Sequence, residues 1–128
     1  MSHKVYIVED HPVLRGMYAD FLEAAPGVEL CGTAGSAEEV LGKLADLDCD
    51  LVVTDYRLPG LNGAELVRRL RAERPDLPAV VISAHEDETF ARESLEAGAA
   101  AFLKKRDLVE SLVPTIHAVL GERHRDLA

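Results

Sequence analysis

Four short apolar runs constrain this chain more than any other feature: Val5-Tyr6-Ile7-Val8, Leu51-Val52-Val53-Thr54, Ala79-Val80-Val81-Ile82 and Ala100-Ala101-Phe102-Leu103. Each is unbroken rather than alternating, three are rich in β-branched residues, and all are too short for a helix. A strand with apolar side chains on both sides must be covered on both sides, which is the condition inside a parallel sheet clad with helices. The weaker run from Glu29 to Ala34 supplies a fifth strand.

The intervening segments carry apolar residues at helical spacing. The first places Val13, Leu14, Met17, Tyr18, Phe21 and Leu22 behind Pro12, which suits the first helical position because its missing N–H is not needed there. His11 before it reads as part of the helix start. Ser36 with Glu39 three residues on forms a capping-box pattern ahead of Val40, Leu41 and Leu44. A third helix follows Asn62, with Leu66, Val67 and Leu70 on one face and Arg68, Arg69, Arg71 and Arg74 largely on a solvated one. A fourth runs from about Asp87 to Ala97, stopped by Gly98. A fifth begins near Asp107, with Glu110 three on, and presents Leu108, Leu112, Ile116, Val119 and Leu120. Pro114 lies inside it, so a kink or a late start is expected. Strand and helix thus alternate five times, which argues for an α/β, doubly wound parallel sheet joined by right-handed crossovers.

At 128 residues the chain makes one domain, assigned to 1–121, with 122–128 as a charged tail or truncated linker. A 48% apolar content is enough for an aliphatic core. Two cysteines cannot make a small disulfide scaffold, and Cys31 and Cys49, without metal-ligand spacing, read as small buried hydrophobes. No apolar stretch approaches the ~20 residues of a membrane span, and Met1 leads directly into a strand rather than a signal sequence, so a cytoplasmic protein is expected. Acids outnumber bases by 23 to 14, a net charge of -9, which argues against direct nucleic-acid binding by this domain.

Ligands of such sheets collect at the carboxyl ends of the strands. There the chain places Glu9 and Asp10, then Asp55, then Ser83, then Lys104-Lys105. Any one of these could be a turn former or helix cap. Jointly, three carboxylates, a hydroxyl and an ammonium at one sheet edge suit a hard cation such as Mg²⁺ beside a phosphoryl group, with a carboxylate as the nucleophile. The segment Gly60-Leu61-Asn62-Gly63 lacks the Lys-Ser/Thr ending of a P-loop and reads as a turn.

The succession "VYIVEDH", "LVVTDYRLPGLNG", "VVISA" and "AGAAAFLKK" resembles the receiver domains of two-component response regulators, most closely those of the helix-turn-helix (NarL/FixJ-like) subclass. The resemblance implies a flavodoxin-like five-stranded sheet in the order 2-1-3-4-5 with five helices. It implies that Asp55 accepts a phosphoryl group from a sensor histidine kinase or a phosphotransfer protein. Asp10 and Asp55 would ligate Mg²⁺ directly, Glu9 through water, and Arg57 through its backbone carbonyl. Ser83 and Phe102 would be the switch pair. Of the two adjacent lysines only one can enter the pocket, and the family's spacing of three after the switch aromatic selects Lys105. Arg57, Ala84 and His85 would set access of water and partners to the phosphate. Arg106 stands where many receivers have Pro, which leaves the following peptide geometry open. The implied activity is signalling rather than enzymatic turnover, with self-catalysed phosphoryl transfer and slow autodephosphorylation. A homodimer and a DNA-binding output following the domain are compatible with the subclass. The alternative from the residues is a receiver-like interaction module that works without phosphate.

Overall fold

The computed structural model describes residues 2–84 and 88–127, the side chains of 122–127 excepted. Five strands, β1 (His3–Val8), β2 (Val28–Ala34), β3 (Leu51–Asp55), β4 (Ala79–Ser83) and β5 (Ala101–Lys104), form one sheet in the order β2-β1-β3-β4-β5. Every pairing is parallel. The helices are α1 (Pro12–Glu23), α2 (Ala37–Leu41), α3 (Gly63–Glu73), α4 (Glu88–Glu96) and α5 (Leu108–Leu127). The sheet order and the expected fold class agree.

Successive side chains of a strand point to opposite faces, and the core divides accordingly. Val5, Ile7, Leu51, Val53, Val80 and Ile82 pack under α1 and α5 against Leu22, Leu112, Ile116 and Leu120. Tyr6, Val8, Val52 and Val81 face the other way, onto Val40 of α2 and Leu66, Val67 and Leu70 of α3. This two-sided cover is why the strand runs are unbroken.

The helix ends show which local signals operate. His11 caps α1, its Nδ1 accepting from the Leu14 N–H at 3.4 Å. Asn62 and Glu65 form a full capping box on α3, at 2.8 and 3.0 Å. The box expected at Ser36 is half made: Ser36 Oγ accepts from Glu39 N–H, but the Glu39 carboxylate reaches Gly35 N–H instead. The α2 helix is correspondingly short, and Leu44 falls in a separate 3-10 turn, Leu44–Asp46. Another 3-10 turn, Lys105–Asp107, precedes α5, which runs through Pro114 rather than starting late. No described peptide is cis, including the one after Lys105.

Three expectations change. Arg71 and Arg74 are not merely solvated: Arg71 donates to the Pro75 and Leu77 carbonyls, and Arg74 to those of Leu44 and Leu47, tying α3 to its neighbours. The apolar stripe of α1 is wider than the surface it covers, leaving Val13 64% and Met17 59% exposed. Met17, with Leu14 of the same helix and Leu108 and Val109 of α5, borders an open apolar groove that Lys105 also lines. Most notably, Cys31 and Cys49 are not separate buried thiols but a disulfide, with Cα atoms 6.4 Å apart. The pairing arises because β2 carries a bulge: Val5 aligns with Leu30 and Tyr6 with Gly32, so Cys31 is the extra residue.

Candidate functional site at the carboxyl edge of the sheet

The strand alternation that aims Val5 and Ile7 into the α1/α5 layer brings Glu9 to the end of β1, and the same alternation in β3 brings Asp55 in line after Leu51 and Val53. Both are buried, Glu9 at 1% and Asp55 at 8% exposure, whereas Asp10 is exposed. Each of the three carboxylates offers an oxygen, and these oxygens lie within 4.8 Å of one another. Lys105 enters from the end of β5, its Nζ standing 3.3 Å from Glu9 Oε1 and 3.3 Å from Asp55 Oδ2. Lys104, its neighbour, is the last residue of β5 and pairs in register with Ser83.

The backbone around this cluster is fixed from several sides. The His11 N–H donates to Glu9 Oε2 at 3.1 Å, and Arg15 Nη1 donates to the Glu9 carbonyl at 3.0 Å. After Asp55, the Tyr56 N–H donates to the Ile82 carbonyl and the Gly63 N–H to the Tyr56 carbonyl, at 2.8 and 2.7 Å. At Gly63 a Cβ would lie 2.5 Å from the Asp55 carbonyl oxygen, so only glycine lets α3 start this close to the end of β3. Glu38 of α2 steadies the same loop by accepting from the Leu61 N–H at 3.1 Å.

Burial, reinforced by the Glu9 charge, pushes the Asp55 carboxyl up from 3.8 to about 6 against the opposing pull of Lys105. Burial alone would lower the Lys105 ammonium, but Asp55, Tyr18 and Glu9 outweigh it and the group is raised. At neutral pH the pair is therefore ionised on both sides. Burial also raises the Tyr18 phenol, which sits on α1 beside Lys105.

The other residues singled out from the sequence lie around this centre. Ser83, buried, ends β4 one residue beyond Ile82, the register partner of Asp55. Phe102 pairs with Val81 and packs half-buried on the α3-side core. Arg57 is exposed, its guanidinium 5.6 Å from the Phe90 ring centre. Ala84 is exposed. His85 lies outside the described residues. The contribution of α4 was missing from the sequence reading. Tyr56 stacks on Phe90 at 4.1 Å between centroids and donates to Glu93 Oε2 at 2.8 Å. Tyr18 and Arg15 were also missed as neighbours of the site, one hidden in an apolar stripe and the other in an ordinary helix surface.

An acid triad with a half-buried lysine, at the carboxyl edge of a 2-1-3-4-5 sheet, defines a class of protein. The response regulator receiver domain model matches residues 5–117, and the chain belongs to that family. Within it, the chain is 33% identical over 122 residues to the response regulator GacA of Pseudomonas syringae pv. syringae, covering 94% of this chain and 57% of that one. It is 31% identical to the nitrate/nitrite response regulator protein NarL of Escherichia coli, covering 92% and 55%. The chain thus spans about half the length of these curated relatives. Among solved structures it is similar to a LuxR-family two-component response regulator from Aurantimonas sp. SI85-9A1, with a TM-score of 0.89 at 30% identity, covering 95% of this chain and 87% of that one.

Proposed function

We propose that Asp55 is the phosphoacceptor of a cytoplasmic signalling switch, charged by a sensor histidine kinase or a phosphotransfer protein. The observation that carries this reading is Lys105 Nζ, 3.3 Å from both Glu9 and Asp55. It holds a cation against a carboxylate that burial has not neutralised.

The three clustered carboxylates are oxygen donors of the kind Mg²⁺ prefers; Asp10 and Asp55 would hold the ion directly, Glu9 would hold it through water and the Arg57 carbonyl would complete the protein's share. When bound, the ion neutralises acid charge and phosphoryl charge together. The chain's own residues do the rest. An Asp55 carboxylate oxygen attacks phosphorus as the bond from phosphorus to the donor imidazole nitrogen breaks, leaving an acyl phosphate. Lys105, already beside Asp55 Oδ2, keeps its proton and charge and donates a hydrogen bond to a phosphoryl oxygen, and the Ser83 hydroxyl donates to another. Those contacts favour a rearranged Ser83 and Phe102, so the surface of α4, β5 and α5 is the one whose partner affinity changes. Arg57, Ala84 and His85 flank the approach of water and set the phosphoryl lifetime. Relatives named as a transcriptional activator of Pseudomonas putida and as the DNA-binding transcriptional activator DevR/DosR of Mycobacterium tuberculosis support a regulator of transcription as the setting.

Incubation with Mg²⁺ and acetyl phosphate, followed by intact mass, should add one phosphoryl group to the wild type and none to Asp55→Ala. An unmodified wild type would leave a phosphate-independent interaction module as the better reading.

A further inference from the structure

We propose that Cys31 and Cys49 form a reversible thiol–disulfide modification site, a second input to the domain separate from Asp55. The inference rests on the cytoplasmic reading above, because reducing thiol pools there turn an accessible disulfide into a reversible one.

Three observations carry it. The bridge is built by a local irregularity: Cys31 is the extra residue of the β2 bulge, and bulges re-aim side chains at sheet edges. Gly32 beside it must be small, since a Cβ there would lie 2.6 Å from the Tyr6 ring. Both sulfurs belong to half-buried residues that line an open cleft on the β2 edge. Finally, the bridge lies at the margin of the core: β2 pairs with β1 on both sides of the bulge, and Cys31 and Cys49 only flank one core layer as partly buried residues. Cys49 lies two residues before β3 and Asp55 ends it, so six residues of chain separate the two sites, at most roughly 20 Å at ~3.3 Å per residue.

The chemistry balances with a low-molecular-weight disulfide as oxidant. The Cys49 thiolate attacks one of its sulfurs, that S–S bond breaks, and one thiolate leaves a mixed disulfide behind. The Cys31 thiolate then attacks the Cys49 sulfur, closing the bridge and expelling the second thiolate. Two cysteine thiols have lost two electrons and two protons, and the reagent has gained both as two free thiols.

The native chain equilibrated in glutathione redox buffers, quenched in acid, alkylated and weighed should pass from two alkyl groups to none as the buffer becomes oxidising. Cys31→Ser and Cys49→Ser should each stop at one glutathione adduct. The oxidised wild type should melt higher than the reduced by roughly 10 °C, given the 18-residue separation. Full alkylation in the most oxidising buffer, resistance of the bridge to reduced glutathione under native conditions, or equal melting temperatures would each overturn the proposal. Asp55→Ala should exchange like wild type, so failed phosphoryl uptake with intact exchange counts against the phosphoacceptor reading alone. Failed exchange with intact uptake counts against this proposal alone.

Discussion

Replacing Asp55 by Asn should make the metal-free protein more stable, although it removes the proposed acceptor. The unfolded carboxyl ionises near 3.8 and the folded one near 6, chiefly because it is buried and next to Glu9. Between those values the unfolded chain binds fewer protons than the folded one, so stability falls as pH rises from about 4 to about 6 and stays lowered above. At ~1.36 kcal/mol for each tenfold change in proton affinity, the full penalty is ~3 kcal/mol. The crevice is open on the side of exposed Asp10, and solvent screening there reduces it to about 1–2 kcal/mol. Asn keeps the shape and still accepts from Lys105, so this is the gain expected at pH 8 in chelator. Urea unfolding should place the variant's midpoint higher by roughly 1 M. The gap should shrink toward pH 4, and Mg²⁺ should narrow it by stabilising only the wild type. A variant no more stable than wild type at pH 8, or a gap indifferent to pH, would refute the reasoning.

Other substitutions address separate parts of the site. Lys105→Met leaves Glu9 and Asp55 facing each other without their shared cation; the Asp55 carboxyl should climb further above 6, and uptake from acetyl phosphate should slow by ~10² or more, read by time-resolved mass. Gly63→Ala forces a methyl against the Asp55 carbonyl and Tyr56 Cα, and should cost about 2–4 kcal/mol in thermal or urea unfolding. The Tyr56 phenol, pushed up to about 12 by burial and its bond to Glu93, should contribute only about a tenth of a full tyrosinate signal at pH 11. A difference spectrum against Tyr56→Phe at that pH tests this, and a full tyrosinate signal from Tyr56 would contradict it.

Much of the fold could be read from the chain because burial leaves a direct mark on composition. Strands covered on both faces have no polar face to display, and so β3 and β4 appear as uninterrupted apolar runs. The acids gathered at the carboxyl edge were legible for a related reason: strand ends in a parallel sheet converge, so residues distant in sequence could be placed together from topology. What could not be read depends on register and side-chain reach. One bulged residue in β2 decides that Cys31 meets Cys49, and nothing in a spacing of 18 announces it. The α1 stripe gave no sign that Met17 would be left exposed while Leu22 is buried. Choosing Lys105 over Lys104 needed the family's spacing as well as strand alternation. The links from Arg74 to the Leu44–Asp46 turn, and from Tyr56 to Glu93, are made by long side chains across segments whose relative position only the packed sheet defines.

The grip of α4 on the residue after Asp55 has a consequence for whatever binds this domain. Tyr56 is held by Phe90 and Glu93, while Arg57 lies over the same Phe90 ring. Helix and the loop after Asp55 therefore share one set of contacts, and their preferred arrangements are thermodynamically linked. Linkage runs in both directions: if a phosphoryl group on Asp55 strengthens a partner's hold on α4 by some factor, that partner's presence must favour the phosphorylated state by the same factor. A downstream target that docks on α4 would then be a participant in how long the signal lasts, and not only its reader.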